Sequence, residues 1–575
     1  MASGWDNTAV ARVLSQIADL LELAGENPFK IRAYRNAADV VAHAAEQVRE
    51  MDESSLREWA GIGKDLASRI HEIASTGNCA VRQDLLRQYP ESLLDVLGLQ
   101  GVGPRTAGRL FHELGISSLT DLESAARAGR IRGLKGMGPR KEALMLKALE
   151  ERRQHSGRHL LSDATRAVSA IVEWLRARVP DLEMIPVGSL RRGAETCGDV
   201  DLLAVDASPE VLELFTTYPM VERVLGRGAT KASVLLRGGL QADVRLVAAH
   251  QRGAALQYFT GSKAHNIVLR DRALERGWRL NEYGLFTAAD ESRLAGETEE
   301  GIYDALGLDW VPPELRENRG EVEAAGRHAL PRLVTMRDLR GDVHMHTTET
   351  DGRDTLDVMA RAAAARGLQY IAITDHSRNL AMANGMDETR TLAHAERIRS
   401  RNGRFGTLAL LAGVECDILA DGRMDLSDDC LAALDLVIAS VHSAMSQSEA
   451  EMTARLIRAI EHPHVDVIGH PTNRILLRRP PSQVHMEKVI DAAAANGVAL
   501  EINANPNRLD LSDAHARLAR DRGVKLLISS DAHATDELDF RSWGVLVARR
   551  AWATKDDVLN AQPLRTFRRW LERGR

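Results

Sequence analysis

VGSLRRGAETCGDVDLLAVD, residues 187–206, opens on a Gly-Ser-x-Arg-Arg turn and runs into a strand whose first residues are acidic. Asp199 and Asp201 lie two apart, so in a strand both carboxylates project from one face, while Val200 and Leu202 take the other, core-facing side. A second strand, ADVRLV (242–247), offers Asp243 between apolar neighbours. Carboxylates converging from two strands repel unless divalent cations neutralise them, and an all-oxygen ligand set suits Mg²⁺ or Mn²⁺. Ahead of them, Ser189 and the Arg191–Arg192 pair can cradle a phosphate through backbone N–H groups and guanidinium.

Toward the N-terminus, helical patterning dominates the first 150 residues and is punctuated by GIG (61–63), GVG (101–103) and GMG (136–138). Each is followed by a new helix: KDLASRIHEI, PRTAGRLFHEL, PRKEALMLKAL. The glycines Gly61, Gly63, Gly101, Gly103, Gly136 and Gly138 permit tight turns. The second helix of each pair then starts with unpaired N–H groups that can face a phosphate oxygen. Lys64, Arg105 and Arg140 add positive charge in the first turns. Such contacts touch the DNA backbone and not the bases, so binding is expected to be sequence-independent and salt-sensitive.

Toward the C-terminus, seven strand-length apolar runs each close on metal-ligand residues. They are GDVHMH (His344, His346), YIAITDH (Asp375, His376), LLAGVEC (Glu415), VIASVH (His442), VDVIGH (His470), VALEIN (Glu501) and LLISSDAH (Asp531, His533). Most are separated by helical patterning, as at Thr355–Arg366 and Glu449–Glu461. Repeated β-then-α units imply parallel strands whose C-terminal ends share one rim, where barrel enzymes place their chemistry. The seven endings together predict a multinuclear metal site.

Composition sets the outer bounds. A chain of 575 residues suggests about four domains and ample core. No apolar stretch approaches the ~20 residues of a bilayer span, and the polar N-terminus starts a helical pattern at once, so neither membrane nor signal peptide is expected. Cys79, Cys197, Cys416 and Cys430 form no CxxC pair and suggest neither a disulfide framework nor a zinc ribbon, which fits a reducing cytoplasm. The net charge of −6 by itself disfavours a nucleic-acid partner, but metal-binding acids mask local basic clusters.

GSLRRG…GDVD followed by ADVR resembles the nucleotidyltransferase palm of family X DNA polymerases, the group that includes polymerase beta. YFTGSKAHNIVLRDRALERGWRLNEYGL (258–285) resembles the thumb of that family, and YRNAADVV with GIGKDLASRI its small gap-binding domain. The resemblance implies that Asp199, Asp201 and Asp243 bind two catalytic metals and that Ser189, Arg192 and Gly198 hold the triphosphate. It also implies that Tyr258, Phe259 and Gly261 pack against the sugar, that Asn266 and Arg270 reach the minor-groove side of the new pair, and that Arg245 interacts with the carboxylates. In polymerase beta a small-domain lysine forms a Schiff base with deoxyribose phosphate. Here that position is Arg69, a poor nucleophile because it stays protonated, with Asp65 at a second basic position and Lys64 out of register. The small domain is therefore expected to grip a 5′-phosphate without lyase chemistry.

The C-terminal runs resemble the polymerase and histidinol phosphatase (PHP) domain of bacterial family members. The resemblance assigns one ion to His344, His346, Glu415 and Asp531, a second to Glu415, His442 and His470, and a third to Asp351, His376 and His533. Asp351 stands where some relatives have His, which shifts preference from Zn²⁺ toward Mn²⁺, so two or three Mn²⁺ or Zn²⁺ are expected. Asp375 and Glu501 read as carboxylates that orient His ligands, and Asn503, Asn505, Arg474 and Arg508 as candidates for substrate phosphate.

The expected architecture is a multidomain α+β and α/β chain. Helix-hairpin-helix regions span 1–95 and 96–155, the palm 156–250, the thumb 251–315, a Pro-marked linker 316–337, and an irregular (βα)7 PHP barrel 338–575. The expected function is a cytoplasmic, monomeric DNA-repair polymerase. It would fill short gaps from dNTPs, on gapped or primer-template DNA with a 5′-phosphate, and carry a metal-dependent 3′–5′ exonuclease or 3′-end phosphoesterase. Two alternatives stand beside it: a polymerase tethered to a small-molecule phosphatase, and a DNA-binding scaffold that delivers a nuclease.

Overall fold

A computed structural model describes residues 7–42, 48–59, 61–97, 99, 102–155 and 157–572. The chain forms two compact units, Met1–Ser156 and Gly157–Arg575. Among the described residues no helix is long and apolar enough to cross a membrane.

The first unit is helical. Asn7–Leu23 and Pro28–Ala42 pair closely, and Lys64–Thr76, Pro104–Leu114 and Pro139–His155 each follow a glycine hairpin. Gly61 (φ 83°) and Gly136 (φ 78°) adopt the left-handed conformation that a side chain would strain. Gly63 and Gly103 cap the next helix in extended conformation, with no side chain bonded to the first-turn N–H groups. Gly101 lies outside the described residues.

The second unit contains the palm, thumb and barrel. The palm sheet has five strands in the order Glu183–Pro186, Asp199–Val205, Gln241–Val247, Lys231–Leu236, Val221–Arg227. Asp199–Val205 and Gln241–Val247 run parallel with Asp201 directly opposite Asp243. Val200 and Leu202 are buried in the palm core, as the alternation requires. The thumb adds a three-stranded meander, Trp278–Asn281, Gly284–Thr287 and Arg293–Ala295.

All seven C-terminal runs become parallel strands in sequential order, and the first and last meet through a bridge between Met345 and Ala532. Their side chains alternate between two cores. Ile371, Ile373, Leu410, Ala412, Val437 and Ala439 pack toward the helices. Tyr370, Ala372, Leu411, Leu436, Ile438, Val467, Ala499 and Leu527 form a second, inner cluster that Phe567 and Leu571 also join. Period two carries those inner rows onward into His376, Glu415, His442, Glu501 and Asp531, so the strand pleat itself aims the ligands inward.

The stretch 316–337, expected as a linker, is packed instead. Arg316 and Glu321 are fully buried, Glu321–Gly326 is helical, and Leu315, Val322, Ala324, Ala325 and Leu333 share a thumb core with Trp552 of the barrel. Paired prolines and charges suggested a tether. Their apolar partners become visible only in three dimensions.

Candidate active sites

In the palm, Asp199 is exposed, Asp201 partly buried and Asp243 buried. Burial, with Asp199 and Asp243 alongside, pushes the Asp201 carboxyl up to about 6. Lys231, on the neighbouring strand, contacts Asp243, and Gln241 donates to it at 3.2 Å. Arg245 stacks over Phe259 at 4.6 Å from the ring centroid. The oxygen-only trio fits Mg²⁺ or Mn²⁺ chemistry.

Ser189 and Arg191 sit in the short helix Gly188–Arg191. Arg191 forks onto Glu299 at 2.9 and 2.6 Å, and Arg316 bonds the same carboxylate at 2.7 Å. Against the upward push of burial, these two guanidiniums hold Glu299 down to about 2. Arg192 bonds Glu317 at 3.0 Å and the carbonyl of Thr260, and a side chain at Gly261 would come within 3.2 Å of its guanidinium. Gly198 immediately precedes the Asp199 strand. Tyr258 and Phe259 end the helix Arg252–Thr260. Arg270 is exposed, whereas Asn266 is 9% exposed, donating to the Tyr258 carbonyl and accepting from Gln257, both at 2.7 Å. Asn266 thus props the Tyr258 turn here.

On the barrel rim, Glu415 lies at the centre. One of its oxygens is 3.4 Å from His344 Nε2, 3.6 Å from His346 Nε2 and 2.9 Å from His376 Nδ1. The other is 3.3 Å from His442 and 2.9 Å from His470. Asp531 approaches His346 at 3.2 Å, and Asp351 faces His376 at 3.4 Å and His533 at 3.5 Å. Among the described residues three groups have the spacing of a metal shell: His344, His346 and Asp531; His376, Glu415 and His442; His346, Asp351, His376 and His533. This grouping differs in part from the sequence expectation, because His376 presents one nitrogen to Glu415 and the other to Asp351, and His346 faces both outer groups.

The donor chemistry fits metal. His344 Nδ1 bonds Glu501 at 2.6 Å, while its buried Nε2 has no hydrogen-bond partner, as is also true of His346 Nδ1. Burial works against protonation, yet Glu415 and Asp351 hold His376 up to about 10. Similarly, against burial, Glu415 and Asp417 hold His442 up to about 9, and Asp351 and Asp531 hold His533 up to about 9. His346, buried and ringed by these positive neighbours, falls to about 4.

Glu501 stands behind His344, whereas Asp375, expected to orient a ligand imidazole, is bonded to other groups. Glu501 also accepts from the His470 N–H and Ser529, and Asp375 from Thr347, Thr350 and His394. Sequence reading missed Asp417, which holds His442 Nδ1 at 2.5 Å, together with Asn379 and His394. Its position two after Glu415 on one strand, hence on the same face, was the available signal. Asn503 donates to Asp531 at 3.0 Å. Arg474 does not face the rim as a free cation: it is 8% exposed and bonded to Glu195 and the carbonyls of Arg508 and Leu509. Arg508 keeps a buried nitrogen without a hydrogen-bond partner.

In the first unit, Lys64, Arg105 and Arg140 are all exposed. Arg69 faces Asp65 at 3.9 Å and Glu72 at 3.4 Å.

Comparison with known proteins matches helix-hairpin-helix families at 5–79 and 93–151, the DNA polymerase beta palm at 162–236, the polymerase beta thumb at 255–317 and the PHP domain at 342–505. The DNA polymerase/3′–5′ exonuclease PolX of Bacillus subtilis (strain 168) is 38% identical over 98% of this chain and 99% of its own. The chain belongs to the PolX family. The barrel region alone is similar to smaller proteins, such as a probable phosphatase of Thermoanaerobacter sp. (strain X514), 31% identical over 38% of this chain and 89% of that protein. A ternary complex of Leishmania infantum polymerase beta aligns at 21% identity and TM-score 0.27, over 40% of this chain and 98% of that one. The palm match at 162–236 and the PHP match at 342–505 fall on the two sites described above, carboxylate palm first and histidine-rich rim second.

Proposed function

We propose that this PolX-family chain is a DNA polymerase and 3′–5′ exonuclease that fills short gaps during DNA repair. The observation that carries the reading is the pairing in one chain of an all-carboxylate palm, Asp201 against Asp243, with a barrel rim gathering His344, His346, His376, His442, His470 and His533 around Glu415. Mg²⁺ or Mn²⁺ would be held by Asp199, Asp201 and Asp243, and two or three Mn²⁺ or Zn²⁺ by the rim. Divalent cations bound there supply a lowered nucleophile pKa and charge neutralisation for phosphoryl transfer. Around them, the chain's own groups position substrate: Ser189, Arg192 and Gly198 the triphosphate, Tyr258, Phe259 and Gly261 the sugar, and Arg508 a phosphate at the rim. The hairpin glycines with Lys64, Arg105 and Arg140 would grip gapped DNA and its 5′-phosphate. We take the enzyme to act as a cytoplasmic monomer.

The test is a separation of function. D201A should abolish dNTP incorporation on gapped DNA and leave 3′-end hydrolysis, whereas H344A or E415A should do the reverse. Loss of both activities in either folded variant would defeat the two-site reading. The barrel's likeness to probable phosphatases supports a second reading, removal of a 3′-terminal phosphate; comparing 3′-hydroxyl and 3′-phosphate primers, with histidinol phosphate as the small-molecule control, separates these reactions.

A further inference from the structure

Arg192 does not stand free to receive a nucleotide. Its Nε bonds Glu317 Oε1 at 3.0 Å, and its Nη1 reaches the Thr260 carbonyl. The same Glu317 oxygen accepts, at 2.9 Å, a bond from Arg550, the last residue of the barrel helix Arg541–Arg550. Arg550 also donates to the Arg192 carbonyl at 2.9 Å, and its other terminal nitrogen lies 3.0 Å from Asp513, which Arg319 approaches at 3.0 Å as well. The turn after Arg192 rests on this helix: a side chain at Gly193 would come within 3.3 Å of Leu546. Arg192, Glu317 and Arg550 are 14%, 20% and 10% exposed at their side chains, so solvent screens them little.

We propose that Glu317 competes internally with the triphosphate for Arg192, and that Arg550 of the barrel sets the strength of that competition. The inference rests on the reading of Arg192 as a triphosphate contact. A nucleotide must draw the guanidinium from Glu317, leaving a half-buried carboxylate that needs another cation. Arg550 is already in place to supply it, which lowers the cost of release, and its bond to the Arg192 carbonyl holds the turn while the side chain changes partner. Without Arg550, the whole charge of Glu317 falls on Arg192. The nuclease domain therefore tunes nucleotide affinity in the palm through one shared oxygen, and by linkage nucleotide binding strengthens the contact between Glu317 and the barrel.

The two partners of that oxygen predict opposite signs, which a merely structural seam would not give. The measurement is the Kd of dTTP with Mg²⁺, on a one-nucleotide gap with templating adenine and a dideoxy-terminated primer, alongside kcat for gap filling. E317Q should tighten dTTP binding by roughly three- to tenfold, R550M should weaken it by a similar factor, and R550K should fall between wild type and R550M. The double variant E317Q/R550M should behave like E317Q. In each, kcat should move by less than about twofold, and 3′-end hydrolysis and the melting temperature report folding. Weaker binding in both single variants, or additive effects in the double, overturns the proposal. R192A separates the two levels: if it leaves the Kd unchanged, the triphosphate reading of Arg192 fails. If it weakens binding and E317Q also weakens it, only the competition fails. Should R550M not fold, E317Q and R550K decide by the same signs.

Discussion

Asp201 is held in a state that its own chemistry opposes. Its carboxyl is raised from 3.8 to about 6 by burial and by Asp199 and Asp243. A group with a raised acid pKa destabilises the fold above that pKa and does nothing below its unfolded value, so the strain appears as pH rises from 3.8 through 6. D201N should therefore raise the melting temperature of metal-free protein at pH 8, by roughly 2 kcal/mol in stability terms, with no gain at pH 3. A variant less stable than wild type at pH 8 would contradict this account. Asp417 presents the opposite case, a carboxylate that stabilises by orienting His442. D417N should cut 3′-end hydrolysis by roughly 10–100-fold and lower bound metal, with gap filling intact. Elemental analysis beside the two activity assays checks it.

Elements carry the next level. The inner rows of the barrel leave no room for side chains at certain positions: a Cβ on Gly469 would lie 2.4 Å from Ser440 Oγ and 2.8 Å from Ile438. Gly469 also precedes His470, whose N–H donates to Glu501. G469A should destabilise the second unit by roughly 1–3 kcal/mol and reduce nuclease activity, since the strand must shift where a ligand is mounted. Urea unfolding with parallel activity assays would show whether the two losses occur together. In the first unit, the helix Lys64–Thr76 presents Arg69 to Asp65 and Glu72 where a nucleophilic lysine is absent. Incubation with 5′-deoxyribose phosphate DNA and borohydride should yield no trapped adduct, while a 5′-phosphate still raises gap affinity in a salt-dependent manner. An adduct lost in K64A would assign the chemistry to Lys64.

At the scale of the whole molecule, metal uptake and stability are coupled to protons. His376, His442 and His533 are held up to about 10, 9 and 9 when no metal is present. Raised imidazoles stabilise the metal-free fold fully below pH 6.5 and lose that contribution as pH climbs through 9 to 10. A ligand imidazole must be neutral, so binding of Mn²⁺ at pH 7 should release protons, and affinity should rise between pH 6 and 9. Calorimetry in buffers of different ionisation enthalpy measures the release; a buffer-independent heat would refute it. The palm has only carboxylate ligands and should show no such dependence above about pH 7.

How much of this was written in the sequence follows from the range of the forces involved. Alternation along a strand is local, so DVD at 199–201 announced its face, and the seven runs closing on His, Asp or Glu, with helical patterning between most of them, announced their parallel order and shared rim. The glycine hairpins were legible for the same reason, since a left-handed φ at Gly61 or Gly136 is a property of the residue itself. Tertiary structure alone decided which distant groups meet. It chose His442 as the partner of Asp417, whose place two after Glu415 had set only its face, gave His376 to two ligand groups, committed Arg474 to the palm residue Glu195 and folded 316–337 into a core with Trp552. It also set Arg192, Glu317 and Arg550 on shared atoms across 358 residues of chain. Side-chain partnership depends on the packing of surfaces far apart in sequence, and no local pattern encodes it.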